Sequence, residues 1–427
     1  MKAKHIIAVS MIIIALAVFG GCTGRGSSTG RDGRVRIRVS HWDVASTSSN
    51  YINTLVDAFK EKHPAIDVEI IDIPSTDYTM RLQIMLNGGS DLDAFWIKDG
   101  DTTKGLVNRG QLADLSAYAA RDGIELADFN GVAERFVIDG KLTALPASTG
   151  YYILYYNKDI FDNAGLPYPS NEMTWPEWET LAGQLSSGSG NNRVYGGLLH
   201  TWQACVQNWG VQDGIHTIMG PDYSFFRPYY EMALRMQNAG SIWDYGALRS
   251  AGIHYGSAFL QGNIATMPMG TWFYATIIER INAGEANINW GLAALPRAPE
   301  IEPGWTVGSV TPIAVNQASR NKDAAWEFVQ FITSEEGARI YAAYGVSPAR
   351  ADEESLAAIA SMPGMPEGAQ EALAVRNIAL DRPMVDQVNE VNHMLGQEHS
   401  MIMLGEVSIE RGLENMARRS REIQNAR

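Results

Sequence analysis

Apolar and polar positions alternate from the start of the body of the chain. In "RVRIRVSHWD" Val35, Ile37 and Val39 are separated by arginines, the period of a strand buried on one face. The next segment, "SSNYINTLVDAFKEKHP", places Ile52, Leu55, Val56 and Phe59 at helical spacing, and Pro64 stops it. "AIDVEII" alternates again, "RLQIMLNGG" reads as a short helix closed by Gly88, and "DLDAFWI" is a compact apolar strand. This β-α-β-α-β order predicts parallel strands with helices on both faces, an open doubly wound α/β sheet.

From Ala147 the pattern restarts. "GYYILYYN" alternates large residues on both faces, Tyr151, Ile153 and Tyr155 on one and Tyr152, Leu154 and Tyr156 on the other. Such a strand is expected between two packed layers, or with one face on a pocket where a tyrosine offers both a ring and a hydroxyl. "MTWPEWETLAGQL" carries a capping box, Thr174 with Glu177, ahead of a helix. Trp175, Trp178 and Trp326 lie on amphipathic helical stretches and read as packing residues. The tail from Glu353 to Arg427 is helical in composition, broken at Pro363, Pro366 and Pro383.

The first residues change the picture of where the chain works. Residues 1–21 have a basic start (Lys2, Lys4) and an apolar run from Ile12 to Phe19, shorter than the roughly 20 residues a membrane span needs. They read as a secretory signal, and the small residues before Cys22 resemble a bacterial lipoprotein signal, in which that cysteine carries the lipid. A plain signal peptide with an incidental cysteine is the alternative. Residues 22–34, rich in Gly and Ser, read as a flexible tether. Cys205 is the only other cysteine, so a lipidated Cys22 leaves no disulfide. The net charge of -14 disfavours nucleic acid as a partner, because an acidic surface repels a polyanion.

Four segments carry a family resemblance: "LNGGSDLDAFWIKDGDTTKGLVNRGQLADLSAY", "LYYNKDIFDNAGLPYP" with "TWPEWETLA", "GNIATMPMGTWF", and "NKDAAWEFVQFITSEEGARI". In this order they resemble the extracellular solute-binding proteins of ABC importers, in the sugar-binding family that includes maltose-binding protein. The resemblance implies a two-lobed, type II periplasmic-binding-protein-like fold whose lobes are discontinuous in sequence. The first lobe would hold residues 35–146 and 296–347, and the second residues 147–295 and 348–427, with crossings near Pro146, Pro296 and Ser347. It further implies a monomeric receptor, anchored outside the cytoplasm by lipid on Cys22, that delivers a carbohydrate to permease subunits and uses no cofactor or metal.

A sugar presents a hydroxyl rim and a weakly apolar C–H face, so its site needs aromatic rings and fixed polar groups. In open α/β sheets these sit at the C-terminal ends of strands. "SHWD" offers Trp42 and Asp43, "FWIKD" offers Trp96 and Asp99, and the two aspartates could instead cap helices. The strand entering the second lobe puts Ser148, Thr149 and Tyr151 at the cleft. "LHTWQ" adds His200 and Trp202, "MGTWF" adds Gly270 and Trp272, and "EPGW" adds Trp305. Two other readings stand beside this one. A small anionic solute such as a glycerophosphodiester would use Lys98, Arg81 or Arg382. A secreted carbohydrate-active enzyme would use a carboxylate pair, and the sequence has no H-E-x-x-H or clustered Cys/His spacing to support other hydrolytic chemistry.

Overall fold

In the computed structural model, residues 33–426 are described apart from 43, 45–49, 99, 130 and 351. Cys22, Asp43 and Asp99 therefore lie outside the described residues. The first alternating segment is strand β1 (Val35–Trp42), and the helix Tyr51–Lys62 buries Tyr51, Ile52, Leu55, Val56 and Phe59 as its spacing requires. Strand β2 (Ile66–Ile73), a helix at Tyr78–Asn87 and strand β3 (Ala94–Trp96) follow. Both β2 and β3 pair parallel with β1, the arrangement expected of β-α-β units.

A two-stranded ribbon, β4 (Val137–Ile138) and β5 (Lys141–Leu142), leads into the long strand β6 (Leu145–Asn157). The remaining strands are β7 (Thr266–Gly270), β8 (Trp290–Ala293), β9 (Trp305–Val315) and β10 (Asn377–Leu380). The sheet order is β2-β1-β3-β9-β6-β7, with β10 beside β9 and β8 beside β6. Strand β9 runs antiparallel to both β3 and β6, so it stitches the parallel first half to the antiparallel second half.

Two hydrophobic clusters form around this sheet. One gathers Ile37 to Ala147 with Val310 to Val315, Trp326 and Phe328. The other gathers Tyr151 to Leu295 with Val307 and the helices from Ile359 to Met416. Each cluster is a lobe, and among the described residues β6, β9 and the segments near Ser347 and Leu380 pass between them. The second crossing thus lies within β9, between Val307 and Val310, and not at Pro296. Pro296 and Arg297 remain on the second lobe because the Gln212 amide donates to the Pro296 carbonyl (3.1 Å) and the Trp175 N–H to that of Arg297 (2.9 Å). The tail is also not wholly helical. Asn377–Leu380 pairs parallel with Trp305–Gly308, because a short segment beside an open strand satisfies its own backbone groups by joining the sheet.

Strand β6 is buried over almost its whole length, with Tyr152, Ile153, Leu154 and Tyr155 each 4 % exposed or less. Its tyrosine hydroxyls find partners inside: that of Tyr155 donates to the Gly270 carbonyl at 2.8 Å, and that of Tyr151 to the Leu373 carbonyl at 3.1 Å. Layers cover both faces of the strand.

Candidate ligand-binding cleft

Between the lobes lies a cavity of about 670 Å³. Its first wall comes from the C-terminal ends of β1 and β3, with Trp42, Lys98 and Gly100, and from Tyr51 on the following helix. The floor is the crossing strands: Ser148, Thr149 and Gly150 of β6 against Ser309, Val310 and Thr311 of β9. The second wall carries Trp202, Gln203, Thr271, Trp272 and Thr276, and Leu380 to Arg382 form part of the rim.

Trp42 is held from behind. Its ring lies against that of His41 (4.2 Å between centroids, 11° between planes) and meets Tyr78 at 5.0 Å. His41 is itself locked. Its Nδ1–H donates to the Trp42 carbonyl (2.8 Å), which leaves Nε2 to accept from the Tyr51 hydroxyl (3.3 Å). Burial pushes its pKa down to about 3, against smaller opposing effects of the backbone bond and Asp72, so the ring is neutral at physiological pH. Lys98 stands 6.0 Å from the Trp42 ring, its ammonium bonded to the Ser75 carbonyl and hydroxyl at 2.7 Å each.

On the other wall Trp272 is 41 % exposed and Trp202 39 %, unusual values for tryptophan in a folded protein. The reason Trp272 can lie where it does is the pair of glycines beneath it. A Cβ on Gly270 would stand 2.1 Å from the ring, and one on Gly150 would stand 3.1 Å from it. The indole rests on bare backbone and meets Tyr152 edge-on at 5.5 Å. Trp202 is supported by Tyr255 (5.4 Å) and His200 (4.8 Å). These rings line the cavity, together with the hydroxyl-bearing Ser148, Thr149, Thr271, Ser309 and Thr311.

The structure thus brings together Trp42, Ser148, Thr149, Trp202 and Trp272 among the residues expected from sequence. Trp96 is elsewhere. It is 1 % exposed, its indole N–H donates to the Tyr341 hydroxyl (3.2 Å), and its ring meets His41 and Phe328 edge-on. Phe328 and Tyr341, from a much later part of the chain, cover this strand end. Tyr151 points away from Gly150 and Tyr152, by strand alternation, and lines a second cavity behind the crossing strands, as does Trp305. His200, 7 % exposed, stands behind Trp202 and is not itself part of the lining. Gly270 contributes by carrying Trp272. Of the cations, Lys98 and Arg382 line the cleft, whereas Arg81 is exposed on its helix beside Asp77. Tyr51, Gln203, Ser309, Thr311, Tyr344 and Asp381 were not foreseen. The signal for two of them was in view: Ser309 and Thr311 place small hydroxyls on alternate positions of β9.

Two lobes joined by crossing strands, with an aromatic and hydroxyl-lined cavity between them, define a two-lobed periplasmic binding protein. The chain belongs to the bacterial extracellular solute-binding protein family, whose profile matches residues 45–339. It is similar over 92 % of its length, at 38 % identity and a TM-score of 0.84, to a crystal structure of a sugar transporter from Rhizobium etli in an open conformation, all of which is covered. A substrate-binding protein from Listeria monocytogenes, in complex with cycloalternan, superposes with a TM-score of 0.77 at 23 % identity, over 92 % of this chain and 99 % of that one. The galactooligosaccharide-binding protein of Bacillus subtilis strain 168 is 23 % identical over 362 residues, 79 % of each chain. Among the described residues no helix is long and apolar enough to cross a membrane.

Proposed function

We propose that the chain is a receptor that binds a carbohydrate in the interlobe cleft and delivers it to the permease of an ABC importer, without chemical change. One observation carries this reading. Trp42 stands on one wall and Trp202 and Trp272 on the other, and the floor between them bears small hydroxyls and no described carboxylate. Rings on both walls suit the C–H faces of a sugar, and side-chain hydroxyls suit its rim. The sugar ligands of the related receptors support the same class. Lipid on Cys22 would hold the receptor at the outer face of a membrane, within reach of the permease.

A second reading is favoured by Lys98 and Arg382, which give the cleft two cations against Asp381 alone among its described lining residues. It is a small anionic solute such as a glycerophosphodiester. One screen separates the two. Melting temperature is measured with a panel of neutral mono- and oligosaccharides and, in parallel, glycerophosphodiesters. A ligand at ~100 times its dissociation constant adds about 2.7 kcal/mol to stability, which such a screen detects. A shift with a sugar, and its recovery intact after denaturation, supports the carbohydrate receptor. A shift with the phosphodiesters alone would replace it.

A further inference from the structure

Behind the crossing strands lies the second cavity, of about 460 Å³. It and the cleft are set on opposite sides of β6: Gly150 and Tyr152 face the cleft, Tyr151 faces the rear, and Thr149 and Ser347 border both. Its rim is made by both lobes. Arg135 comes from the turn Ala133–Phe136, whose Ala133 and Phe136 are in the first-lobe core, and Arg376 from the residue before β10. In a chain with 48 acidic residues, neither guanidinium has an ion pair or a side-chain hydrogen bond among the described residues, and no Asp or Glu is among the described residues lining this cavity. Among the described residues Glu134, next to Arg135 in the chain, is the acid whose charge bears on that guanidinium. The third basic residue, His216, is already answered by Asp213 at 2.5 Å. The walls also carry the neutral polar side chains of Thr149, Thr217, Ser347 and Asn377, beside an apolar part that includes the Trp305 ring and Ile215, which is 83 % exposed.

We propose that this rear cavity binds a small organic anion, with carboxylate groups on Arg135 and Arg376 and its carbon skeleton against Trp305 and Ile215, and that its occupancy opposes closure of the cleft. Guanidinium forks match carboxylates in geometry, and two of them facing one space from opposite lobes invite a ligand bearing two anionic groups. A hinge that brings the front walls together moves the rear rims apart. An anion held between rear rims therefore favours the open form and lowers affinity at the front, and linkage makes the effect mutual.

The test uses the purified chain and phthalate, a rigid aromatic dicarboxylate, with phthalamide as its neutral counterpart. Calorimetry without any sugar should give saturable binding of phthalate and none of phthalamide, weakened tenfold or more in both Arg135→Gln and Arg376→Gln. Arg376→Lys, which keeps the charge and loses the fork, should fall between. Equal binding of the two compounds, no saturable binding of phthalate, or unchanged binding in both Gln variants would overturn the site. Both variants should melt with the parent when phthalate is absent. The coupling is read separately, as at least a threefold loss of affinity for the front-cleft ligand at saturating phthalate. An unchanged affinity would overturn the coupling. Because the first arm uses no cleft ligand, its failure is distinct from failure of the carbohydrate reading.

Discussion

Acid should begin to destabilise this protein above the range in which carboxylates titrate, and the cause is histidine. His41 and His399 are each 1 % exposed, and burial pushes both down to a pKa of about 3. For His399 the charge of Arg249 adds to the effect, and its Nδ1 accepts from the Tyr230 hydroxyl at 3.1 Å. In the unfolded chain each titrates near 6.5. Between these values the unfolded state binds a proton that the folded state refuses, so stability is whole above pH 6.5 and falls as the pH drops below it. At pH 5 each group costs about 2 kcal/mol, roughly 4 for the pair. His200, lowered to about 4 by burial and then by His254, adds about 2 more on the same reasoning. Against a typical total of 5–15 kcal/mol this is a large fraction. Urea unfolding at pH 8 and pH 5 measures it directly, and the expected fall is about 4–6 kcal/mol. His399→Gln removes one of the refused protons and should shrink the difference by about 2 kcal/mol. A loss below about 1 kcal/mol in the parent would mean these rings accept protons when folded, and the argument from burial would fail.

Four further outcomes follow from the cleft and its frame. Trp202→Ala and Trp272→Ala should each weaken solute binding by about 1–3 kcal/mol in calorimetry, the range for a central aromatic contact, and unchanged affinity in both would remove the stacking walls. Gly270→Ala should reproduce the Trp272→Ala defect although it adds only a methyl, because that carbon would stand 2.1 Å from the indole; wild-type binding would show that the ring finds another seat. Trp96→Ala should lower stability by about 3–5 kcal/mol in denaturant unfolding. Where that variant remains folded it should bind as the parent does, and a selective binding loss would return Trp96 to the site. Small-angle scattering should give a smaller radius of gyration with bound solute, since a ligand touching both walls prefers the closed form, and an unchanged radius at saturation would argue for a rigid receptor.

Within the lobes, much was legible because burial imposes a period. The alternation of Val35, Ile37 and Val39 and the helical spacing of Ile52 to Phe59 each name a buried face, and these elements stand where the pattern put them. The capping box at Thr174 is equally local, and the Glu177 carboxylate accepts from the Thr174 backbone N–H at 2.8 Å. The turn residues beside Trp42, Trp96 and Trp272 marked all three, and of these Trp42 and Trp272 line the cleft.

Which rings face solute was a different matter. Trp42 and Trp96 both close strands of the first lobe and look alike in sequence. The first lies at the sheet's open end, while the second is covered by Phe328 and Tyr341 from a segment more than two hundred residues later. Tyr151 and Tyr152 are neighbours with the same chemistry, and strand alternation guarantees that they face opposite ways. It does not say which side is the cleft. That was decided when β9 paired with β6 and fixed Gly150 opposite Ser309. Local periodicity is set by one residue's own backbone and so is written in the sequence. The sides of a sheet acquire a front and a rear only when distant strands pack on them, and pairing across such separations belongs to the tertiary structure.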